Sequence, residues 1–200
     1  MMKSESGGFK DLVKDLGFQA FLWTQFLGAL NDNLYKMIVS MRAVHVAAST
    51  GTEYVSIALA VFVIPFFLFS GYSGQLADRL SKRTVLVSVK IFEIGVMALG
   101  IAVFFTERIE YMLAILFLMA LHSTIFSPAK YGIVPEMLPD KDLSRANALL
   151  EMTTFVAIVV GTALGGFLFH YWQNTAWEMG VVMLSVAVVG FAASLRIPRV

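Results

Sequence analysis

Asp32 stands deep in an apolar stretch that carries no charge from Leu16 to Asn31. Along a helix rising 1.5 Å per residue it lies roughly 24 Å from the start of that run, so an ionised carboxylate there has no easy route to water. Gln25 precedes it by seven residues and Lys36 follows by four. At about 100° per residue the three fall within roughly 20° of one another and make a polar stripe on an apolar helix. Two readings fit. The stripe lines a cavity that meets a polar or charged solute, or Asp32 and Lys36 form a local pair one turn apart that neutralises itself and packs. A self-cancelling pair in lipid still suffers desolvation, which weighs toward the cavity.

A second polar set lies between residues 111 and 130. Ser123, Ser127 and Lys130 share one helical face, with His122 beside them and Pro128 expected to interrupt the backbone. Lys130 fits either a cavity wall or an ordinary lysine snorkelling to the membrane surface. His122 reads more simply as a hydrogen-bonded packing residue than as a proton relay. Lys90 and Glu93, one turn apart, read as a structural pair near one membrane face, with Lys90 shallow enough to snorkel. Gly161-x-x-x-Gly165-Gly166 is a small-residue pattern that lets helices approach closely. An isolated histidine in a chain with no cysteine gives no metal set, and no nucleophilic triad or paired-carboxylate spacing is present. The expectation is therefore a protein with no cofactor, no metal and no catalytic residue, and not an enzyme.

The elements that must carry these residues follow from composition. Of the 200 residues 58% are hydrophobic and 14% charged, against about 25% charged in an ordinary soluble domain. The charges gather in short clusters between long apolar runs, which excludes a soluble enzyme, a disordered tail, a nucleic-acid binder and a disulfide-stapled module. The runs are Leu16 to about Ala48, Tyr54–Ala77, Thr84–Phe105, Tyr111–Ala129, Met152–Trp177 and Met179–Leu195. A bilayer core needs about 20 apolar residues per helix, so six transmembrane spans are expected. Continuous apolar runs are unlike the alternation of a membrane barrel, and open sheet edges are excluded by lipid. The fold class expected is an all-α membrane protein.

With six spans, Lys3, Lys10, Lys14, Arg79, Lys82, Arg83, Lys141, Arg145, Arg196 and Arg199 fall on one side and Arg108 alone on the other. The positive-inside rule then places both termini in the cytoplasm. Residues 1–15 read as a cytoplasmic segment with no removable signal peptide, 16–196 as a six-helix bundle, and 197–200 as the start of a cytoplasmic linker. Spans one and four open two three-helix units, and both carry polar stripes, as inverted-repeat transporters do.

Between spans two and three runs Gly74-Gln-Leu-Ala-Asp78-Arg79-Leu-Ser-Lys82-Arg83. Gly74 is expected to permit close helix packing, Asp78 to accept hydrogen bonds from a neighbouring helix N-terminus, and the basic cluster to face the anionic leaflet. The string closely resembles the cytoplasmic loop signature of the major facilitator superfamily, G-x-L-A-D-R-x-G-R-[RK], with Ser81 where glycine is usual. Pro135-Glu136-Met-Leu-Pro139 and Ser144-Arg145-Ala-Asn147-Ala-Leu-Leu-Glu151 are similar to a second stretch of that family. Gln25-Phe-Leu-Gly-Ala-Leu-Asn31-Asp32-Asn33-Leu-Tyr-Lys36 and Ser127-Pro128-Ala-Lys130-Tyr131-Gly132-Ile133 resemble its lysophospholipid transporter branch, whose members occur alone or fused ahead of an acyltransferase and an acyl carrier protein ligase. The span-five pattern lacks the Gly-Pro element of drug antiporters.

The resemblance runs from about Gln19 to Pro198 and covers the N-terminal six of the family's twelve helices. It implies a 3+3 inverted repeat and alternating access. It also implies inward movement of lysophospholipid, mainly lysophosphatidylethanolamine, across the bacterial inner membrane for reacylation. Asp32, Asn33 and Lys130 would then contact the headgroup, the carboxylate meeting its ammonium and the lysine its phosphate. Gln25, Lys36 and Ser127 complete the expected binding set. Gly74, Asp78, Arg79, Lys82 and Arg83 form the expected conformational loop. The partners implied are membrane lipid, the lysophospholipid, and a C-terminal six-helix half or a second copy. An acyltransferase or ligase is a further implied partner, and nucleic acid is not one. Alternatives are a facilitator of another small or amphipathic solute, and a non-transporting scaffold that docks an acyltransferase. Asp32 is able to act as a headgroup contact or as a proton or sodium site.

Overall fold

The computed structural model describes residues 9–46, 51–106, 108–172 and 175–199. Lys3, and with it most of the expected cytoplasmic segment 1–15, lies outside the described residues, as does Val200. Seven helices are present among the described residues: α1 (Phe9–Lys14), α2 (Leu16–Val46), α3 (Gly51–Arg79), α4 (Lys82–Phe104), α5 (Ile109–Met137), α6 (Asp140–Trp172) and α7 (Ala176–Ser194). In lipid each backbone N–H must be satisfied within its own segment, so apolar runs of this length become helices.

Among the described residues five helices, α3 to α7, are long and apolar enough to cross a membrane. Six were expected. The difference is α2, which is 31 residues long but carries Gln19, Gln25, Asn31, Asp32, Asn33 and Lys36. Its polar residues are housed by packing rather than by lipid, because α2 is the central helix and touches α3, α5, α6 and α7.

Two further expectations are corrected. Pro128 does not interrupt its helix: α5 runs unbroken through Pro128 and Pro135. Each proline removes one N–H donor, a loss that neighbouring helices make tolerable inside a bundle. The run expected from Met152 to Trp177 is instead one 33-residue helix from Asp140 to Trp172, so the Ser144–Glu151 stretch is helical.

The interior is layered. One apolar cluster gathers Phe18 and Phe21 of α2, Leu86 of α4, Ile133 of α5 and Leu150 of α6. A second gathers Tyr35 and Ile38 of α2, Met97 of α4, Met112 and Met119 of α5, and Met183 of α7. Between them, α2, α4 and α5 turn polar side chains inward at the same level: Gln25, Asn31 and Asp32; Lys90 and Glu93; His122 and Lys130. The glycine pattern of α6 does pack closely. A Cβ at Gly161 would run into the Leu30 carbonyl oxygen, and one at Gly165 would lie 2.7 Å from that of Leu34 and 2.8 Å from Met37 Cβ. These glycines let α6 lie directly on the polar stretch of α2.

Candidate functional site

The polar level borders a half-open cavity of about 210 Å³ whose lining includes Gln25, Asp32, Lys90, His122, Ser127 and Lys130. Gly28, Ala29, Phe66, Ser123, Phe126 and Thr154 complete the wall. Helical spacing explains the set: Gln25, Gly28, Ala29 and Asp32 follow one face of α2, and Ser123, Ser127 and Lys130 one face of α5.

Asp32 is held from α5. Its Oδ2 accepts a hydrogen bond from Ser123 Oγ, and its Oδ1 faces His122 Nε2 at 3.8 Å. The local pair with Lys36 is not what the chain builds, since Lys36 Nζ donates to Asn33 Oδ1 at 2.8 Å and lies over the Phe62 ring. Asn33 in turn donates to the Ala29 carbonyl at 2.8 Å and packs beside Gly161. Asn33 and Lys36 are thus absent from the cavity lining, whereas Asp32, Gln25, Ser127 and Lys130 share it.

Gln25 is fixed by two hydroxyls of α6: its Nε2 donates to Thr153 Oγ1 at 2.6 Å, and its Oε1 accepts from Thr154 Oγ1 at 2.9 Å. Lys130 Nζ donates to the same Thr154 hydroxyl at 3.1 Å and stands 3.8 Å from Glu151, which also accepts from the Tyr131 hydroxyl at 2.7 Å. Lys130 is buried rather than snorkelling. A side chain held in place by two neighbours is presented to the cavity with little rotamer freedom left to lose on binding.

Lys90 and Glu93 do pair, at 2.6 Å, but inside the bundle rather than at its surface. Both are fully buried, Lys90 1% and Glu93 0% exposed. The residue count from the helix end suggested snorkelling; the direction of the side chain decides otherwise. Lys90 points inward between two glycines: a Cβ at Gly28 would stand 2.6 Å from its Nζ and one at Gly190 3.6 Å. Glu93 also accepts from Asn31 Nδ2 at 3.0 Å and faces His122 Nε2 at 3.8 Å. His122 therefore lies between two carboxylates, Asp32 and Glu93. Sequence reading missed this bridge, the Thr153–Thr154 pair and Glu151. Two adjacent threonines in an apolar run, and lone glycines at 28 and 190, were the available signals.

The loop between α3 and α4 works differently from the expectation. A Cβ at Gly74 would meet nothing within 4 Å, so no close packing depends on that glycine. Asp78 is exposed, and the N-terminus of α4 is capped by Ser81, whose hydroxyl accepts from Thr84 N at 3.2 Å. The serine that replaces the family's usual glycine thus satisfies an otherwise orphaned donor. Arg83 donates from Nε to the Ile197 carbonyl at 2.6 Å and from Nη2 to that of Leu195 at 3.0 Å, tying α4 to the end of α7. Lys82 bridges Glu136 of α5 at 2.6 Å and lies against Gly132. Arg79 is exposed.

A larger groove, about 820 Å³, lies between α2 and α7, but Arg196 is the one ionisable residue in its lining. It lacks the converging charges of the smaller cavity.

Long apolar helices wrapped around a charged interior cavity define a multi-pass membrane protein with an internal polar site. The chain belongs to the Major Facilitator Superfamily, whose family model matches residues 21–200. It is similar to the lysophospholipid transporter LplT of Photorhabdus laumondii, 31% identical over 92% of this chain and 43% of that protein. It is also similar to those of Klebsiella pneumoniae, 30% identical over 98% and 47%, and Salmonella typhimurium, 29% over 98% and 46%. The chain spans less than half the length of these curated relatives.

Proposed function

We propose that residues 16–196 form the amino-terminal six-helix bundle of a two-bundle transporter that carries lysophospholipid inward across the bacterial inner membrane. In this reading α2 to α7 are the six spans, with α2–α4 and α5–α7 as the halves of a 3+3 inverted repeat. Supporting it, the first helix of each unit carries the polar side chains, Asp32 on α2 and Lys130 on α5. Both termini lie in the cytoplasm, with the basic residues at that end. Alternating access needs a second wall, supplied by another six-helix half or a second copy.

The observation that carries the substrate assignment is that Asp32 and Lys130, of opposite charge, line one half-open cavity inside the bundle. A phosphoethanolamine headgroup has the complementary pair, an ammonium for Asp32 and a phosphate for Lys130. Gln25 and Ser127 add hydrogen-bonding partners, while Asn33 and Lys36 act from behind Asp32. At about 210 Å³ the cavity is smaller than the ~300–1,000 Å³ of a drug-sized site, which suits a headgroup whose acyl chain stays in lipid. Lysophosphatidylethanolamine is the preferred form, delivered for reacylation by an acyltransferase. Lys82 and Arg83 tie α4 to α5 and α7, and with Gly74, Asp78 and Arg79 they form the loop at which the bundle's cytoplasmic end rearranges.

Equilibrium binding of lysophosphatidylethanolamine to the chain in lipid nanodiscs tests the reading. Asp32→Asn and Lys130→Gln each remove a charged hydrogen bond and are expected to weaken binding at least about tenfold. Affinity unchanged in both would overturn the headgroup assignment and favour a membrane scaffold. Uptake into inner-membrane vesicles then separates transport from binding alone.

A further inference from the structure

The groove of about 820 Å³ between α2 and α7 lies on the face of α2 opposite the polar cavity. It is half-open, and contacts between the two stretches of chain close it at each end. At one end a Cβ at Gly190 of α7 would lie 3.5 Å from Leu27 Cβ. At the other, a Cβ at Gly17 of α2 would lie 2.9 Å from Cδ of Pro198, just past α7. Between these closures Ala20, Ala192 and Ala193 are too short to fill the space. From Leu16 to Leu27 the groove follows α2 for roughly 16 Å. That is about half of a ~30 Å hydrocarbon core, the depth of one leaflet.

The two ends differ in polarity. Trp23, Leu27 and Val189 line the inner part, whereas Gln19 and Arg196 stand where α2 begins and α7 ends. Arg196 is exposed, and its guanidinium makes no hydrogen bond or ion pair with the described residues. Its backbone is nevertheless fixed, because Arg83 of α4 holds the carbonyls on either side of it, those of Leu195 and Ile197. Asp15, the acid beside Pro198, is engaged by the Phe18 N–H at 2.7 Å, and exposed Lys14 adjoins it. The mouth of the groove therefore keeps a cation without a partner.

We propose that this groove holds one anionic phospholipid of the adjoining leaflet, its phosphate on Arg196 and an acyl chain along Ala20 and Ala192. That leaflet is the cytoplasmic one on the topology proposed above, and the site does not depend on what the bundle carries. A helix about 10 Å across cannot lie in a groove closed at both ends, whereas a flexible chain can. Lipid tails are as apolar as the groove, so the chain fills space and contributes little selectivity. Selection falls to the headgroup. A phosphate accepts charge-assisted hydrogen bonds from the guanidinium, while a zwitterionic lipid also brings an ammonium to the same cation.

Trp23, 57% exposed and part of the wall, reports on the occupant. With Trp172→Phe and Trp177→Phe it is the one tryptophan left. The full chain is placed in bilayers of phosphatidylcholine mixed with phosphatidylglycerol, each lipid in turn carrying brominated acyl chains that quench Trp23. Phosphatidylglycerol is expected at Trp23 about fivefold in excess of random mixing. Arg196→Gln is expected to bring that ratio to one. Ala193→Phe, which fills the groove and keeps Arg196, is expected to do the same. A ratio of one in the unaltered groove, or an excess that survives either change, would overturn the proposal while leaving α2 in the bilayer. Trp23 quenched by neither lipid would also overturn it. Light scattering then separates the causes: a dimer means that a second copy covers the groove, and a monomer removes α2 from the bilayer and the six-span topology with it.

Discussion

Replacing Lys90 by methionine tests the buried pair directly. The methionine nearly fills the lysine stem's volume, so the change removes an ammonium and little packing. Glu93, 0% exposed, would then keep Asn31 at 3.0 Å and His122 at 3.8 Å but lose its partner at 2.6 Å. Removing one member of a buried ion pair costs about 3–5 kcal/mol, because the other charge stays behind unpaired. Glu93→Gln in the same chain removes that stranded charge and keeps an amide oxygen that accepts from Asn31. Since replacing both members of a buried pair is often near neutral, Lys90→Met/Glu93→Gln should recover about half or more of the ~3–5 kcal/mol lost. Denaturant unfolding of the four forms in mixed micelles gives the coupling. A Lys90→Met cost below about 1 kcal/mol, as for an exposed pair, or strict additivity in the double change, would refute the burial argument.

The glycines of α6 make a matched pair of predictions. Gly165→Ala places a methyl 2.7 Å from the Leu34 carbonyl oxygen and must push α6 off α2, while Gly166→Ala meets only the flexible end of Met37 at 3.6 Å. Thermal melting is expected to fall clearly for the first and change little for the second. Arg83→Gln loses two charge-assisted bonds to the carbonyls of Leu195 and Ile197. A loss of about 1.5–3 kcal/mol per bond bounds the effect, and hydrogen exchange is expected to accelerate at residues 191–197 before it does elsewhere in α7.

What was legible in the sequence was the face each polar residue takes, because helical spacing fixes it. Gln25 and Asp32, and Ser123, Ser127 and Lys130, reach one cavity as their spacing required. What could not be read was which helix stands opposite. Asn31 meets Glu93 across 62 residues, and Gln25 meets Thr153 across 128. Depth along a helix suggested that Lys90 snorkels, yet burial depends on which way the side chain leaves the helix. Lys36 likewise prefers Asn33 at three residues' distance to Asp32 at four. Pro128 was expected to break α5 because local propensity is all a sequence offers there, and packing overrides it. At the loop, Gly74 and Asp78 fitted the family pattern but have no packing or capping role within this bundle, and Ser81 supplies the cap.

The polarity of α2 has a consequence for how the protein is made. Insertion of a helix with an aspartate near its centre is disfavoured by about 2.5–3.5 kcal/mol for that residue alone. The groups that satisfy α2 arrive late: Glu93 on α4, Ser123 on α5, Thr153 on α6. Among α2 to α7, the helix translated ahead of the others is therefore the one least able to partition into lipid by itself. It must stay at the insertion machinery or the membrane surface until more than a hundred further residues are synthesised. Biogenesis of this bundle is then ordered by its polar partners: α2 settles after the helices that follow it in the chain, and any truncation before α6 strands its Gln25 without a partner.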